Sequence, residues 1–151
     1  MMAADDLLKL ENQLCFAFYA CSREITKLYR PLLAGLGLTY TQYITLLVLW
    51  EKDGLSVKEL GARLYLDSGT LTPLLKKLES MGLVTRTRNR ADERTVTIDL
   101  TDEGRALKAR AADIPVKLYA GAGFRPEELL SLRTQLQALL RKVDEAAAQQ
   151  G

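Results

Sequence analysis

The chain has 151 residues, of which 48% are hydrophobic, and a formal net charge of +2 at neutral pH. This composition is typical of a folded domain and argues against a chain that is disordered throughout. There is no histidine and there are two cysteines, which excludes His-based catalytic triads and most zinc sites. We expect no metal site and no cofactor, and we expect that the protein is not an enzyme.

The N-terminal segment is acidic and does not have the basic and apolar regions of a secretory signal peptide. No apolar run approaches the roughly 20 residues that a membrane span needs. These features predict a cytoplasmic protein with no membrane partner, in which Cys15 and Cys21 begin as thiols.

The first predicted element is a long helix over residues 7–33, because apolar residues recur there at steps of three and four. Pro31 and Gly35 are expected to close it. Cys21 lies on the apolar stripe of this helix, which favours a buried structural role. Cys15 lies on a different face, with Tyr19 and other hydroxyl-bearing residues that can donate hydrogen bonds to a thiolate. An intact helix separates the two cysteines by about 9 Å of rise and about 240° of rotation, too far for a disulfide.

Two shorter helices follow. The first is predicted over residues 41–53, capped by Thr39 or Thr41 and ended by Gly54. The second, over residues 56–64, begins with an S-x-x-E capping box at Ser56.

Residues 66–100 predict a helix and then two short strands. Asp67 and Ser68 are good helix N-caps, apolar spacing indicates a helix over residues 68–81, and Gly82 is placed to end it. A strand starts at Val84, and alternation over residues 95–100 indicates a second strand with one buried face. With the helix at 56–64, this "reader helix" at 68–81 forms a helix–turn–helix pair, and the hairpin after it has an arginine-rich tip.

This arrangement is typical of a protein that binds duplex DNA, with the reader helix in the major groove. Residues 56–94 carry eight Lys or Arg and five Asp or Glu. We expect the hydroxyls to contact bases or phosphates, the lysines to contact phosphates, Arg94 to enter the minor groove and Asp92 to orient Arg94. The candidate DNA-binding residues are Ser68, Thr70, Thr72, Lys76, Lys77, Arg86, Arg88, Arg90, Asp92 and Arg94.

The C-terminal third is predicted to be helical. Thr101 caps a helix that Pro115 kinks and that Gly121 and Gly123 break, and a last helix follows over residues 126–147. The helices at both ends of the chain have long apolar faces. A two-fold homodimer would cover these faces and place two reader helices about one DNA turn apart, which matches a palindromic operator. The alternative is that these helices pack against their own domain.

Several sequence blocks carry a family resemblance. They are KLENQLCFAFYACSREITKLYRPLL, LTYTQYITLLVLWE and LYLDSGTLTPLLKKLE, and the hairpin pattern DERTVTIDLTDEG follows. Over roughly residues 9–143 the chain resembles the MarR-type winged helix–turn–helix regulators, and within them the organic hydroperoxide-sensing repressors. This resemblance implies a mainly α fold with a small β-hairpin wing, in which dimerisation helices at 7–35 and 102–147 flank a DNA-binding domain at 38–100.

The resemblance also implies a function. Such a homodimer releases its double-stranded operator DNA when an organic hydroperoxide oxidises the residue that corresponds to Cys15. Tyr19 and Tyr29 correspond to tyrosines that hydrogen-bond the reactive sulfur, and Tyr40 lies near the same pocket. Because no cysteine follows Cys21, the chain resembles the one-cysteine branch, in which a small thiol or over-oxidation completes the switch.

Two other functions fit the residues less well. A MarR-type regulator released by a small aromatic or phenolic ligand would leave Cys15 with a structural role. A thiol peroxidase would need turnover, and the sequence places no resolving cysteine, Arg or His beside Cys15.

Overall fold

A computed structural model describes residues 3–151 and is mainly helical, with one small antiparallel sheet. Its elements in chain order are α1 (Ala4–Leu7), a 3-10 helix (Leu10–Asn12), α2 (Leu14–Ala34), α3 (Tyr40–Glu51), β1 (Leu55–Ser56), α4 (Val57–Leu64), α5 (Ser68–Ser80), β2 (Val84–Arg88), β3 (Val96–Leu100), α6 (Asp102–Ala111), α7 (Ile114–Ala122) and α8 (Pro126–Gln150). The chain divides into two compact units, Met1–Ile114 and Pro115–Gly151. The predicted class, a winged helix–turn–helix with long terminal helices, is confirmed.

The core of the first unit lies where α3, α4 and α5 pack together under the sheet. Helix α3 is buried on most of its surface, and α4 and α5 each contribute an inward apolar face. The side chains with no more than 1% exposure include Leu46, Leu49, Leu60, Leu71, Leu75, Leu78 and Ile98. Burying a side chain of this size contributes about 1.5–3 kcal/mol, so these residues fix the position of the reader helix α5.

The sheet has the order β1-β3-β2 and is antiparallel throughout. Strands β2 and β3 form the predicted hairpin, with Val84 opposite Leu100 and Arg88 opposite Val96. Strand β1, which pairs Leu55 with Ile98, was not predicted. We call residues 84–100 the wing.

Three long-range hydrogen bonds attach the base of the wing and the start of α6 to the end of α3 and the loop that follows it. Asp53 Oδ2 accepts from the Leu100 backbone N–H at 3.1 Å and from Arg105 Nη2 at 3.3 Å. Trp50 Nε1 donates to the Gly104 carbonyl at 2.8 Å. At Gly104 a Cβ atom would lie 2.1 Å from the Leu83 carbonyl oxygen, so this approach of backbone to backbone requires glycine.

The first long helix begins later than predicted. Helix α2 starts at Leu14, so the expected start at residue 7 is wrong. The Asn12 side chain donates to the Asp6 carbonyl at 2.7 Å, and the Gln13 side chain donates to the Leu7 carbonyl at 2.6 Å. These side-chain bonds satisfy carbonyls that a continuous helix would have paired with backbone N–H groups, and they stabilise a separate first segment.

The sequence predicted that Pro31 would help to close α2. This prediction is wrong, since the helix continues past Pro31 to Ala34. Proline removes one intrahelical hydrogen bond, but the end of the helix is held by core packing, with Leu33 only 1% exposed. The chain reverses at Gly37, where φ is +70°, and the Leu38 N–H donates to the Leu33 carbonyl at 3.2 Å.

The C-terminal helices also differ from the prediction. The single helix expected after Thr101 is two helices, because α6 ends at Ala111 and α7 begins at Ile114, one residue before Pro115. Gly121 lies inside α7 and does not break it, whereas Gly123 follows its end with φ +73°.

Helix α8 is the main element of the second unit. It begins at Pro126, as predicted, with Glu128 bonded back to Arg125. None of its residues is buried, and an apolar row of Leu132, Leu136, Leu140 and Val143 is exposed. Among residues 3–151, no helix is long and apolar enough to cross a membrane.

Candidate nucleic-acid interface and cysteine site

The turn between α4 and α5 is fixed by local contacts. The Asp67 carboxylate accepts from the Thr70 N–H at 2.7 Å and so caps the reader helix. Side-chain and backbone hydrogen bonds from Thr70 hold the pKa of Asp67 below its ordinary value. At Gly61 a Cβ atom would lie 2.6 Å from the Leu66 carbonyl oxygen. The turn is therefore tight enough to require glycine at position 61.

The reader helix has one buried and one exposed face. Leu71, Leu75 and Leu78 point into the core. Ser68, Thr70, Lys76 and Lys77 are exposed, and Thr72 is half-buried. The helix therefore presents hydroxyls at its start and two ammonium groups in its later turns, the donors that bind phosphates and base edges.

A cleft of about 750 Å³ brings three elements together. The start of α4 contributes Ser56 and Lys58, the reader helix contributes Ser68 and Thr72, and the wing contributes Arg94 and Thr95. Ser56 and Lys58 were not among the predicted DNA-binding residues. The sequence showed Ser56 only as a helix cap, although a cap also places a helix N-terminus, which attracts anions.

The wing tip is organised by Asp92. Its carboxylate accepts from the Arg94 N–H at 3.1 Å and from the Thr95 hydroxyl at 3.3 Å. Arg94 Nε lies 3.5 Å from the same carboxylate, while the Arg94 side chain is 95% exposed. Arg88 Nη1 donates to the Glu93 carbonyl at 2.6 Å. The tip is thus a shaped turn that displays Arg94 to solvent.

Arg86 lies at the base of the wing, on β2, and not at its tip. Its guanidinium Nε is 3.3 Å from Glu79 Oε1, and only 26% of the Arg86 side chain is exposed. This ion pair joins the end of the reader helix to the wing. Arg88, Arg90 and Arg94 are exposed, and Arg90 is placed in the connection between the strands.

Cys15 is exposed in the first turn of α2. Tyr19 follows one turn later, with its ring centroid 6.2 Å from that of Phe16 and 5.5 Å from the Arg23 guanidinium carbon. Because α2 begins at Leu14, Cys15 is the second residue of that helix and lies at the positive end of the helix dipole. Cys21 is also exposed, so the expectation that the chain buries it is wrong.

The other two candidate tyrosines lie together, away from Cys15. Tyr29 and Tyr40 have ring centroids 4.8 Å apart, and Tyr43 joins them at 5.8 Å and 6.4 Å. Tyr43 was not predicted, since it reads as an ordinary core position. Cys15 and Tyr29 are fourteen residues apart on an unbroken helix, or about 21 Å. One chain therefore does not bring Tyr29 to Cys15.

A second cleft, of about 590 Å³, lies between α2 and the start of α3. Its polar lining includes Ser22, Thr26, Arg30, Tyr40 and Thr41. This is a set of hydroxyls beside one guanidinium.

Comparison with known proteins agrees with this geometry. Residues 27–111 match the family model for the transcriptional regulator SarA/Rot. The chain is 53% identical over 135 residues to the organic hydroperoxide resistance transcriptional regulator of Bacillus subtilis (strain 168), covering 89% of this chain and 92% of that protein.

Solved structures give the same result. Reduced AbfR bound to DNA has a TM-score of 0.75 and 34% identity, over 92% of this chain and 96% of that one. Overoxidized AbfR bound to DNA has a TM-score of 0.73 and 34% identity, over 93% and 99%. AbfR is a protein of Staphylococcus epidermidis. The chain belongs to the MarR/SarA family of winged-helix, DNA-binding transcriptional regulators, and within it to the organic hydroperoxide resistance regulators.

Proposed function

We propose that this regulator is a repressor that releases its operator when an organic hydroperoxide oxidises Cys15. The observation that carries the proposal is the position of Cys15, exposed in the first turn of α2 and one turn before Tyr19. The name of the Bacillus subtilis relative points to the same class of oxidant. Structures of AbfR in reduced, overoxidized and disulfide forms show that a relative has several oxidation states.

The chemistry is a two-electron oxidation of sulfur. The Cys15 thiolate attacks the terminal, hydrogen-bearing oxygen of the hydroperoxide, the O–O bond breaks, and the sulfur becomes a sulfenic acid. The alkoxide leaves with the bonding pair and takes a proton from water to become an alcohol. A small thiol then condenses with the sulfenic acid to give a mixed disulfide and water. Tyr19 is the described hydroxyl best placed to hydrogen-bond the sulfur within one chain.

The proposal includes a homodimer. Helix α2 exposes Leu14, Phe18, Ile25 and Leu28, and α8 exposes its own apolar row. A second copy that covers these faces removes apolar surface from water, which favours association. It also supplies Tyr29 and Tyr40 from the partner chain. Within one chain, Tyr29 lies about 21 Å along α2 from Cys15. Two-fold symmetry then presents two reader helices about 34 Å apart to a palindromic operator.

Oxidation reaches the DNA-binding elements through packing. Helix α3 packs on α2 and also on α4 and α5. In the dimer, a bulky group on Cys15 displaces the tyrosine cluster of the partner chain, between that chain's α2 and α3, and the reader helices lose the operator spacing. A coupling of about 1–3 kcal/mol is enough to weaken binding by roughly 5- to 150-fold.

Fluorescence anisotropy on a duplex from the chain's own upstream region tests the proposal. Wild type, Cys15→Ser and Cys21→Ser are titrated with cumene hydroperoxide and with hydrogen peroxide in the presence of a small thiol. We expect cumene hydroperoxide to release wild type and Cys21→Ser at a much lower dose than hydrogen peroxide does, and Cys15→Ser to stay bound. Release of Cys15→Ser together with wild type would contradict the proposal.

A second function is favoured by one observation. The cleft beside Arg30, with its surrounding hydroxyls, suits a small phenolic or acidic ligand. In that case an aromatic carboxylate would release the protein from DNA without oxidant, and Cys15→Ser would respond as wild type does. The same anisotropy assay, run with salicylate in place of peroxide, separates the two functions.

A further inference from the structure

Tyr65 has an unusual backbone conformation. It follows α4 with φ 57° and ψ 38°, in the left-handed region. Among residues 3–151 the other positions with positive φ are all glycines: Gly37, Gly54, Gly82 and Gly123. A bulky residue in this region is a genuine outlier, because its Cβ crowds the following carbonyl. Asparagine or glycine would adopt this turn with less strain.

The side chain of Tyr65 contributes little packing that would offset this backbone strain. It is 57% exposed, while its neighbours Leu64 and Leu66 both pack against the core. Within residues 3–151 no group hydrogen-bonds to its hydroxyl, and it makes no ring contact. Strain that packing does not explain is characteristic of functional positions.

Tyr65 lies in the turn between α4 and the reader helix, and residues on either side of it line the cleft described above. Gly61 and Leu66, which are joined across this turn by a backbone hydrogen bond of 3.1 Å, line the cleft shared by α4, the reader helix and Arg94. The reader helix begins three residues after Tyr65. A phenol here has a donor hydroxyl and a flat apolar ring, a combination that binds a phosphate oxygen and its neighbouring sugar.

We propose that Tyr65 is a DNA-contacting residue, whose hydroxyl donates to a backbone phosphate beside the groove that the reader helix enters. The contact is neutral and is made to the sugar–phosphate backbone, so it adds affinity and fixes register without reading bases. It also gives a reason for a tyrosine at a position where glycine or asparagine would relax the turn. The inference rests on DNA binding and does not depend on the redox chemistry of Cys15.

The test compares Tyr65→Phe and Tyr65→Asn with Tyr119→Phe, an equivalent change at an exposed tyrosine of α7. All proteins are kept reduced, and binding to the upstream duplex is measured by anisotropy over a range of salt concentrations. We expect Tyr65→Phe to bind about tenfold more weakly, the size of one hydrogen bond to a charged group. The slope of log affinity against log salt should not change, because a hydroxyl releases no counterion. Tyr119→Phe should bind as wild type.

Tyr65→Asn separates a contact from a structural role. We expect its thermal midpoint to equal or exceed that of wild type, because asparagine tolerates the left-handed conformation, while its DNA affinity falls at least as far as that of Tyr65→Phe. Wild-type affinity of Tyr65→Phe overturns the proposal, whatever the Asn variant does. A lower affinity of Tyr65→Phe that is matched by Tyr119→Phe overturns it as well.

Discussion

The DNA-binding elements and the cysteine segment differ in how completely one chain builds them. Between Leu55 and Leu100, helices are capped by their own neighbours, the sheet is paired, and three leucines of α5 (Leu71, Leu75 and Leu78) are no more than 1% exposed. Between Leu7 and Leu28, by contrast, most large apolar side chains are exposed, and so are both cysteines.

Under the proposed function, this difference marks the segment to which a second copy contributes. The cleft at Arg94 already combines residues of three elements in one chain. The residues predicted for the cysteine site are not brought together in one chain, because Cys15 and Tyr29 lie fourteen residues apart on the continuous helix α2. Under the proposed function, the DNA-binding surface of each chain is formed within that chain, whereas the sensing site is completed by a second copy, and the switch acts through the spacing of the two DNA-binding surfaces.

The largest expected effect comes from removing a buried side chain from the core of the DNA-binding elements, between Leu55 and Leu100. Leu75→Ala removes a side chain that is 1% exposed, and we expect a loss of about 2–5 kcal/mol in the free energy of unfolding, from lost burial and a residual cavity. Leu8, which is 84% exposed, provides the control, and Leu8→Ala should cost less than about 0.5 kcal/mol. Urea denaturation measures both. A Leu8→Ala cost as large as that of Leu75→Ala would remove the contrast between the two regions.

A smaller loss is expected where the wing joins the helices. Gly104→Ala places a Cβ atom 2.1 Å from the Leu83 carbonyl, and the backbone must move, at a cost of about 1–3 kcal/mol. Gly35→Ala is the matched control, because a Cβ at that position meets nothing within 4 Å and φ is −63°. Thermal unfolding should separate the two variants by several degrees. Equal midpoints would show that the approach at Gly104 relaxes without cost.

The next prediction concerns DNA affinity. Arg94→Ala removes a side chain that is 95% exposed at the wing tip, so the fold should be unaffected. We expect binding to weaken about tenfold and the salt slope to fall by about 0.9, as for the loss of one phosphate or minor-groove cation. Lys108→Ala, on α6 and outside the cleft of Arg94, should change neither quantity. An unchanged salt slope for Arg94→Ala would place the wing tip away from DNA.

Sequence reasoning was most accurate where the signals were local. Asp67 and Gly82 lie beside the reader helix in sequence, and its predicted span of 68–81 differs by one residue from that observed. Strand β1 was missed because its two residues are defined only by pairing with Ile98 and Thr97, about forty positions away. The start of α2 was missed because it depends on side-chain bonds from Asn12 and Gln13, which apolar spacing does not register.

The candidate site divides in the same way. The predicted arginines and hydroxyls needed only the order of helix, turn and hairpin, so the structure places Ser68, Thr72 and Arg94 around one cleft. Lys58 and Tyr65 were not recognised because their significance comes from tertiary placement and from a backbone angle. Neither quantity has a signature in residue type alone.

The smallest expected effect is a pH dependence at the cap of the reader helix. Hydrogen bonds from the Thr70 side chain and backbone hold the pKa of Asp67 below its ordinary value, so the folded state binds a proton less readily than the unfolded state. The cap therefore stabilises the fold above the ordinary Asp pKa of about 3.9 and loses this contribution as pH falls through the lower, folded value. Asparagine at the same position also caps but does not titrate in this range. The free energy of unfolding of wild type, measured by urea denaturation from pH 6 down to pH 3, should fall more steeply than that of Asp67→Asn. If the two profiles were parallel, the negative charge of Asp67 would add nothing to the stability of the fold. The cap would then depend only on the hydrogen bond that the Asp67 side chain accepts.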